Sequence, residues 1–412
     1  MNNAAPALLA LLLVCSLPAM TVVAASPEQE ASTGGSANQH YRLQEGAQET
    51  PVAIENTTNQ LPLSGGIQGS HAETGADLGT SLASSSIQMQ VDYEQYALVD
   101  QEFAQATNDE QVAMIQAAYN RTQERINALD ERERTAVRAH ADGDLSDTEL
   151  IQVYLETYHE AVALSDLLTD LKVRADQVSD YSLPAQQPRT DQKTLDFYTS
   201  TIRTNIADAS QSIRSGNTYE YRIQTSQNGY RLSTLSGDSY LIETARFDNR
   251  DTTEQNQYQS QDEAQERLKE LYPWTLSHRG SHTQDNSVEN FYWLSLDHPH
   301  GELSTYLDGG TGDIYQEIQV VSADSLPTVE SKTKSWNSSF EVTLNKTPAH
   351  GPVELTATDV DTGEPIQATI MIDGVEIGET DENGQLEYLP PTEAYDLAIN
   401  GESSRVSTGI PW

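Results

Sequence analysis

The chain of 412 residues has a single cysteine, Cys15, and it lies inside an N-terminal apolar run. Beyond that run the sequence admits no disulfide, no thiolate nucleophile and no cysteine-ligated metal. Lysine is scarce as well, supplying six of the 23 basic residues. Aromatic residues make up 7% and apolar residues 36%, both low for a globular chain. After residue 25 no stretch is apolar enough to cross a bilayer, which takes about 20 residues. There is no Gly-x-Ser-x-Gly elbow and no glycine-rich phosphate loop, which removes the recognisable serine-hydrolase and P-loop chemistries.

What the chain has in excess is carboxylate. Acidic residues number 63, for a net charge of -40. The excess is -6 over residues 1–85, -13 over 86–183, -10 over 184–329 and -11 over 330–412. A charge spread over every segment is unlike a single acidic tail. Such self-repulsion opposes a compact state in dilute buffer. In molar salt the screening length falls to about 3 Å and most of the repulsion disappears. The composition therefore predicts a protein that folds in a salt-loving cell. It also makes nucleic acid and anionic lipid surfaces poor partners.

The run Ala7–Val14, followed by small residues up to Ala25, has the form of a signal peptide over residues 1–25. Val22 with Ala24, or Val23 with Ala25, fits a small-x-small cleavage site. No Lys or Arg precedes the run, so an uncleaved anchor is the alternative, and a lipoprotein acceptor at Cys15 is a third. Either way, contact with a membrane is expected only through this segment. Sequons at Asn56, Asn120, Asn337 and Asn345 are candidate N-glycosylation sites of an exported chain.

The length predicts two to four domains. Residues 26–85 are rich in Ser, Gly, Ala, Gln and Glu and are expected to be a disordered linker. Residues 86–183 are expected to form a helical hairpin with coiled-coil-like seams. Capping boxes at Thr107–Glu110 and Ser146–Glu149 open two helices, with a third over about 88–105. Val112, Ile115, Tyr119, Thr122, Ile126 and Leu129 recur at three- and four-residue spacing, as do Leu150, Tyr154, Thr157, Ala161, Leu164, Leu168 and Leu171. Residues 184–326 are expected to form a small α+β meander domain. It would contain a helix over 190–213, strands at 219–223 and 239–244, a helix at Glu263–Leu271, and strands at Phe291–Leu296, Glu302–Leu307 and Ile314–Val320. Residues 335–412 are expected to be an all-β sandwich. The fold class is thus multi-domain α+β.

Three resemblances attach to these segments. The helix at Glu263–Leu271 followed by "FYWLSLDHPHGELSTYLDGGTGDIYQEIQ" resembles a PepSY-type module, which implies a protease-modulating role. Asp361-Thr-Gly-Glu-Pro365, the strand Ala368–Ile372, the turn Asp373-Gly374 and Gly378–Gly384 resemble the carboxypeptidase regulatory-like (transthyretin-like) sandwich. The whole order, with Asp248-Asn-Arg250, Leu271-Tyr-Pro-Trp274, Asp297-His-Pro299 and Leu307–Gly312, resembles haloarchaeal exported proteins of unknown function. That last resemblance implies a location and an architecture but no activity.

No catalytic residue and no metal ligand set is assigned from the sequence. His159-Glu160 is half of a helical zinc-protease motif, but position 163 is Ala, so a solvated helix face is the expectation. His278 with His282, and His298 with His300, are two pairs that could meet in space. Asp308–Asp313 and Asp359–Asp361 are expected to be turns, with Ca²⁺ as the one cofactor left open. Tyr272, Trp274, Tyr292 and Trp293 are expected to form a small-domain core rather than a recognition surface. The expectation for function is a non-catalytic exported or cell-surface protein that binds an envelope protein or glycan or serves a structural role. The alternatives are a protease modulator and a hydrolase with an unrecognised carboxylate or metal site.

Overall fold

The computed structural model describes residues 50–75, 86–87, 89–91, 101–211, 219–278, 280, 283–285, 288, 290–336, 340–392, 394–401 and 404–410. The signal-like segment over residues 1–25 and the sequon at Asn337 lie outside them. Among the described residues, no helix is long and apolar enough to cross a membrane.

The helical layer begins with α1 (Gln101–Gln105), followed by the long helices α2 (Asn108–Asp142) and α3 (Asp147–Ala175). Both expected capping boxes are formed. Thr107 and Ser146 each accept from the backbone N–H of the Glu three residues on, which reaches back to the cap. The turn between α2 and α3 ends one helix at Gly143, whose φ of 80° is left-handed backbone that favours glycine. The pair is an antiparallel hairpin: Arg125 and Arg132 of α2 both reach Glu160 of α3. Two shorter helices, α4 (Gln186–Asp196) and α5 (Thr201–Gln211), complete the layer.

An eight-stranded antiparallel sheet underlies it. Its strands are β1 (Gln68–Thr74), β2 (Tyr219–Ser226), β3 (Gly229–Ser236), β4 (Ser239–Arg246), β5 (Thr283–Asp285), β6 (Phe291–His298), β7 (Gly301–Asp308) and β8 (Ile314–Ser322). The order across the sheet is β1-β2-β3-β4-β8-β7-β6-β5. Two helices, α6 (Gln261–Leu271) and α7 (Pro273–Ser277), connect the halves.

Strand alternation divides the sheet into two buried faces. One face packs on the helical layer. Tyr221, Ile223, Leu232, Leu241 and Ile318 join Ile115, Leu129, Leu164, Leu168 and Ile206 in a single core. The stripe read from the hairpin is buried as expected, but against the sheet as well as against itself. A two-helix hairpin leaves much of its apolar surface uncovered, and a sheet supplies the missing layer. The expected boundary between domains 86–183 and 184–326 is therefore replaced by one layered body.

The second face is covered in two places. Over β6–β8, Ala264, Leu268 and Leu271 of α6 pack on Leu294, Leu296, Leu303 and Leu307. The expected linker over residues 26–85 is corrected for residues 50–75. Leu61 is fully buried in the α6 core, and β1 pairs along its whole length with β2. The polar side chains that made this stretch read as a linker are consumed by specific bonds. Thr58 meets Thr275, Asn59 donates to the Leu271 carbonyl, and the Leu61 N–H donates to Glu317. Arg231 and Arg246 donate to the carbonyls of Leu61 and Pro62.

The C-terminal part is all-β, as expected. Its strands are β9 (Glu330–Trp336), β10 (Phe340–Lys346), β11 (Val353–Asp359), β12 (Thr369–Ile372), β13 (Val375–Glu379), β14 (Gln385–Tyr388), β15 (Tyr395–Gly401) and β16 (Ser404–Ile410). They form two four-stranded sheets, β14-β11-β10-β9 and β13-β12-β15-β16, closed over Val342, Leu344, Leu355, Ile370, Leu397 and Ile399. This sandwich docks on the second face of the large sheet. Leu389 packs with Tyr240, Ile242 and Val321, and Arg222 of β2 donates to the carbonyls of His350 (2.7 Å) and Pro390 (3.4 Å).

Candidate functional site

The residues singled out in the sequence fall into four places. His159 and Glu160 do not share a solvated helix face. Glu160 is buried and bridges Arg125 and Arg132, while burial holds His159 below its usual pKa. His278, His298 and His300 do meet, around Trp274, which stacks on His278 (4.5 Å) and His300 (5.4 Å) and meets His298 edge-on (5.7 Å). His282 lies outside the described residues. Burial, with His300 nearby, lowers the His298 pKa to about 4. His300 faces the carbonyl of Asn56 at 3.0 Å, so this cluster fastens the 50–64 segment. Among the described residues no group of three or more His, Cys, Asp or Glu has the geometry of a metal site.

The two acidic turns are built alike. Asp308 Oδ1 accepts from the backbone of Gly310 (3.0 Å) and Thr311 (2.9 Å), and Asp359 Oδ1 from that of Asp361 (2.9 Å) and Thr362 (2.8 Å). Gly312 (φ 76°) and Gly363 (φ 71°) close them in left-handed backbone. Those N–H bonds hold the Asp359 carboxyl below its usual pKa.

Of the sequons, Asn56 and Asn120 are exposed. Asn345 is half-buried in β10, where it accepts from Ser331 and donates to Glu354.

The aromatic quartet is split by alternation along β6. Tyr292 faces α6, and the Tyr272 hydroxyl donates to buried Glu317 at 2.6 Å. Trp293 points to the other face, opposite Tyr306 on β7, and is only partly covered there. Beside it, past the C-terminal end of α4 at Asp196, lies a cleft of about 310 Å³. The floor is Trp293, Glu302, Ser304, Tyr306, Ile318 and Val320, and the wall is Asp196, Thr199, Ser200 and Thr201. Lys193 sits 5.1 Å from the Trp293 ring centre and pairs with Asp196 at 2.7 Å. Glu302 accepts from Ser295 and Ser304. The indole N–H of Trp293 is buried and has no hydrogen-bond partner.

Behind the wall lies a buried ionic network that the sequence did not reveal. Arg203 of α5 is bidentate to Glu133 of α2 (2.7 and 2.9 Å) and donates to Glu243 of β4 (3.0 Å). Glu243 also accepts from Tyr230, Gln316 and the cleft residue Ser200. The guanidinium lies within 6 Å of the rings of Tyr154, Tyr198 and Tyr230. Burial pushes the Glu133 carboxyl up, and the Arg203 charge pulls it back. The network ties α2, α5 and the sheet together and fixes the Ser200 end of the cleft.

Comparison with known proteins gives families rather than activities. No curated protein and no solved structure matches the chain. Residues 330–408 match an archaeal fibronectin-III type-like domain. This replaces the expected carboxypeptidase regulatory-like assignment while keeping the β-sandwich. Residues 221–327 match a family of unknown function, DUF7094. Residues 1–215 match a domain of unknown function, DUF7096, so the family boundary falls after α5 rather than at residue 183. With more than half of its length inside that match, the chain belongs to the DUF7096 family.

Proposed function

We propose that this is a non-catalytic exported or cell-surface protein of a salt-loving archaeon that holds a component of the cell envelope. The observation that carries the reading is how carboxylates are sorted by burial. Among the described residues, Glu133, Glu160, Glu243, Asp308 and Glu317 are buried, and each is hydrogen-bonded. On the long hairpin, by contrast, Glu124, Glu131, Asp144, Asp166, Asp170 and Asp176 are exposed. A fold whose described buried carboxylates are all hydrogen-bonded, and which exposes many others, suits molar salt, where the outer charges are screened. The apolar run over residues 7–25 and the resemblance to haloarchaeal exported proteins support export, by a cleaved signal or an anchor. The α2–α3 pair is read as coiled-coil-like within this body.

The test is a pull-down from the envelope fraction at native salt, with mass spectrometry of partners and of the N-terminus. Retention of an envelope component by a chain starting at Ala25 or Ser26 is expected. An intact Met1 would mean an anchored protein, and recovery with cytosolic proteins alone contradicts the reading.

A second reading rests on the sequence resemblance of α6 and the strands β6–β8, with the Asp308 turn, to a PepSY-type module. It makes the protein a modulator of secreted proteases. Unchanged protease activity on adding the purified chain at molar salt would sink it.

A further inference from the structure

We propose that the cleft between the α4–α5 junction and strands β6–β8 is a binding site for a neutral saccharide, with a sugar ring stacked on Trp293. This deepens the envelope-binding role proposed above and rests on that reading only for the source of the sugar. The site's chemistry stands by itself.

The argument begins with size and lining. At about 310 Å³ the cleft is at the lower end of small-molecule sites, which begin near 300 Å³. It pairs an aromatic platform with short polar side chains: Asp196, Thr199, Thr201, Glu302 and Ser304. Sugar rings present one face of weakly polarised C–H groups and an edge of hydroxyls. The C–H face is attracted to the negative face of an indole. The hydroxyls both donate and accept, and a saccharide site therefore needs acceptors and donors side by side. Here carboxylates accept, and Thr and Ser do both. The Trp293 N–H is a buried donor without a partner at the edge of this lining.

Charge decides between ligand classes. An aromatic face beside two carboxylates also fits an organic cation. Lys193, 5.1 Å from the Trp293 ring centre and paired with Asp196, already supplies a positive charge there. A second cation would meet a like charge at contact distance. An anion would meet Asp196 and Glu302. In molar salt, moreover, long-range attraction for any ionic ligand is screened within about 3 Å. Stacking and hydrogen bonding to a neutral polyol keep their strength under those conditions, and they are what this cleft offers.

The experiment uses the full purified chain in 3 M KCl, with maltose, cellobiose, mannobiose and N,N′-diacetylchitobiose as probes and saturation-transfer NMR as the readout. Tetramethylammonium and a galacturonate dimer are the charged comparisons. At least one neutral disaccharide is expected to bind. Trp293→Ala is expected to weaken it at least tenfold, and Trp293→Phe, which keeps the platform but loses the N–H, by less. Glu302→Gln alters an exposed side chain and is expected to weaken binding severalfold at an unchanged urea midpoint; it keeps the test decisive if the alanine variant does not fold. The proposal is overturned if no neutral disaccharide binds, if binding survives Trp293→Ala unchanged, or if only a charged probe binds. None of these outcomes touches the cellular location, which the pull-down and N-terminal mass test separately.

Discussion

Replacing Arg203 with Met is the sharpest perturbation of the fold. Arg203 is among the largest fully buried side chains, and its guanidinium is the counter-charge for both Glu133 and Glu243. Met fills similar space but strands two buried carboxylates. Breaking a buried ion pair from one side costs about 3–5 kcal/mol, a large share of the roughly 5–15 kcal/mol that holds a domain folded. With a urea slope of about 2 kcal/mol per molar, the midpoint falls by roughly 1.5–2.5 M. Urea is the right denaturant, because guanidinium chloride would also change the salt. The loss is expected to be the same at 1 M and 3 M KCl, because the network is buried beyond the reach of mobile ions. A companion variant with Glu133→Leu and Glu243→Leu added is expected to recover most of the loss, since an apolar replacement of the whole triad is often neutral. The pH response gives a further sign. Burial raises the Glu133 pKa in the folded state, so this group's contribution to stability is present at low pH and lost as pH rises through the folded value. That loss is expected to be steeper in Arg203→Met than in the parent. A midpoint shift below about 0.5 M, or a loss that vanishes with added salt, would refute the assignment of the network as the tie between helices and sheet.

Three other outcomes are expected. Thermal unfolding followed by circular dichroism is expected to move upward steadily between 0.1 M and 3 M KCl, because the screening length shrinks from about 10 Å to below 3 Å over a net charge of -40; a flat profile contradicts the reading of the acidic surface. Leu61→Ala, at a fully buried position under α6, is expected to cost about 2–5 kcal/mol by urea denaturation, whereas a residue in a linker would cost nothing measurable. At the foot of the sandwich, burial and the neighbouring Asp324, Glu354 and Asp238 raise the Glu387 pKa to about 7. Its folded value lies above its unfolded one, so its contribution is present below about pH 4 and lost as pH rises through 7. Glu387→Gln is expected to flatten the pH dependence of sandwich unfolding between those limits, and an unaltered profile counts against that contact.

Local chemistry was readable from the sequence wherever a few neighbouring residues decide the outcome. The capping boxes at Thr107 and Ser146 satisfy N–H groups three residues away, and both helices start where those signals stand. The Asp308 and Asp359 turns are equally local. The segment around Leu61 was not readable: one leucine among polar residues carries no periodicity, and the partners of Leu61 lie 170 and 256 positions on. The Arg203 network was hidden for the same reason, with Glu133 and Glu243 separated from it by 70 and 40 residues. In a chain so rich in carboxylates, nothing local marks the two that are buried. Alternation along β6 shows that Tyr292 and Trp293 face opposite ways. It does not show that the end of α4 and the start of α5 come to line a cleft beside Trp293.

Lysine labelling on intact cells tests the central claim, a surface protein folded in salt, most directly. The Lys332 side chain is 53% exposed on strand β9. A membrane-impermeant amine reagent, applied at native salt and read by mass spectrometry, is expected to label Lys332 on whole cells or in the medium as fully as in a lysate. Labelling that appears only after lysis would place the chain inside the cell and contradict the account.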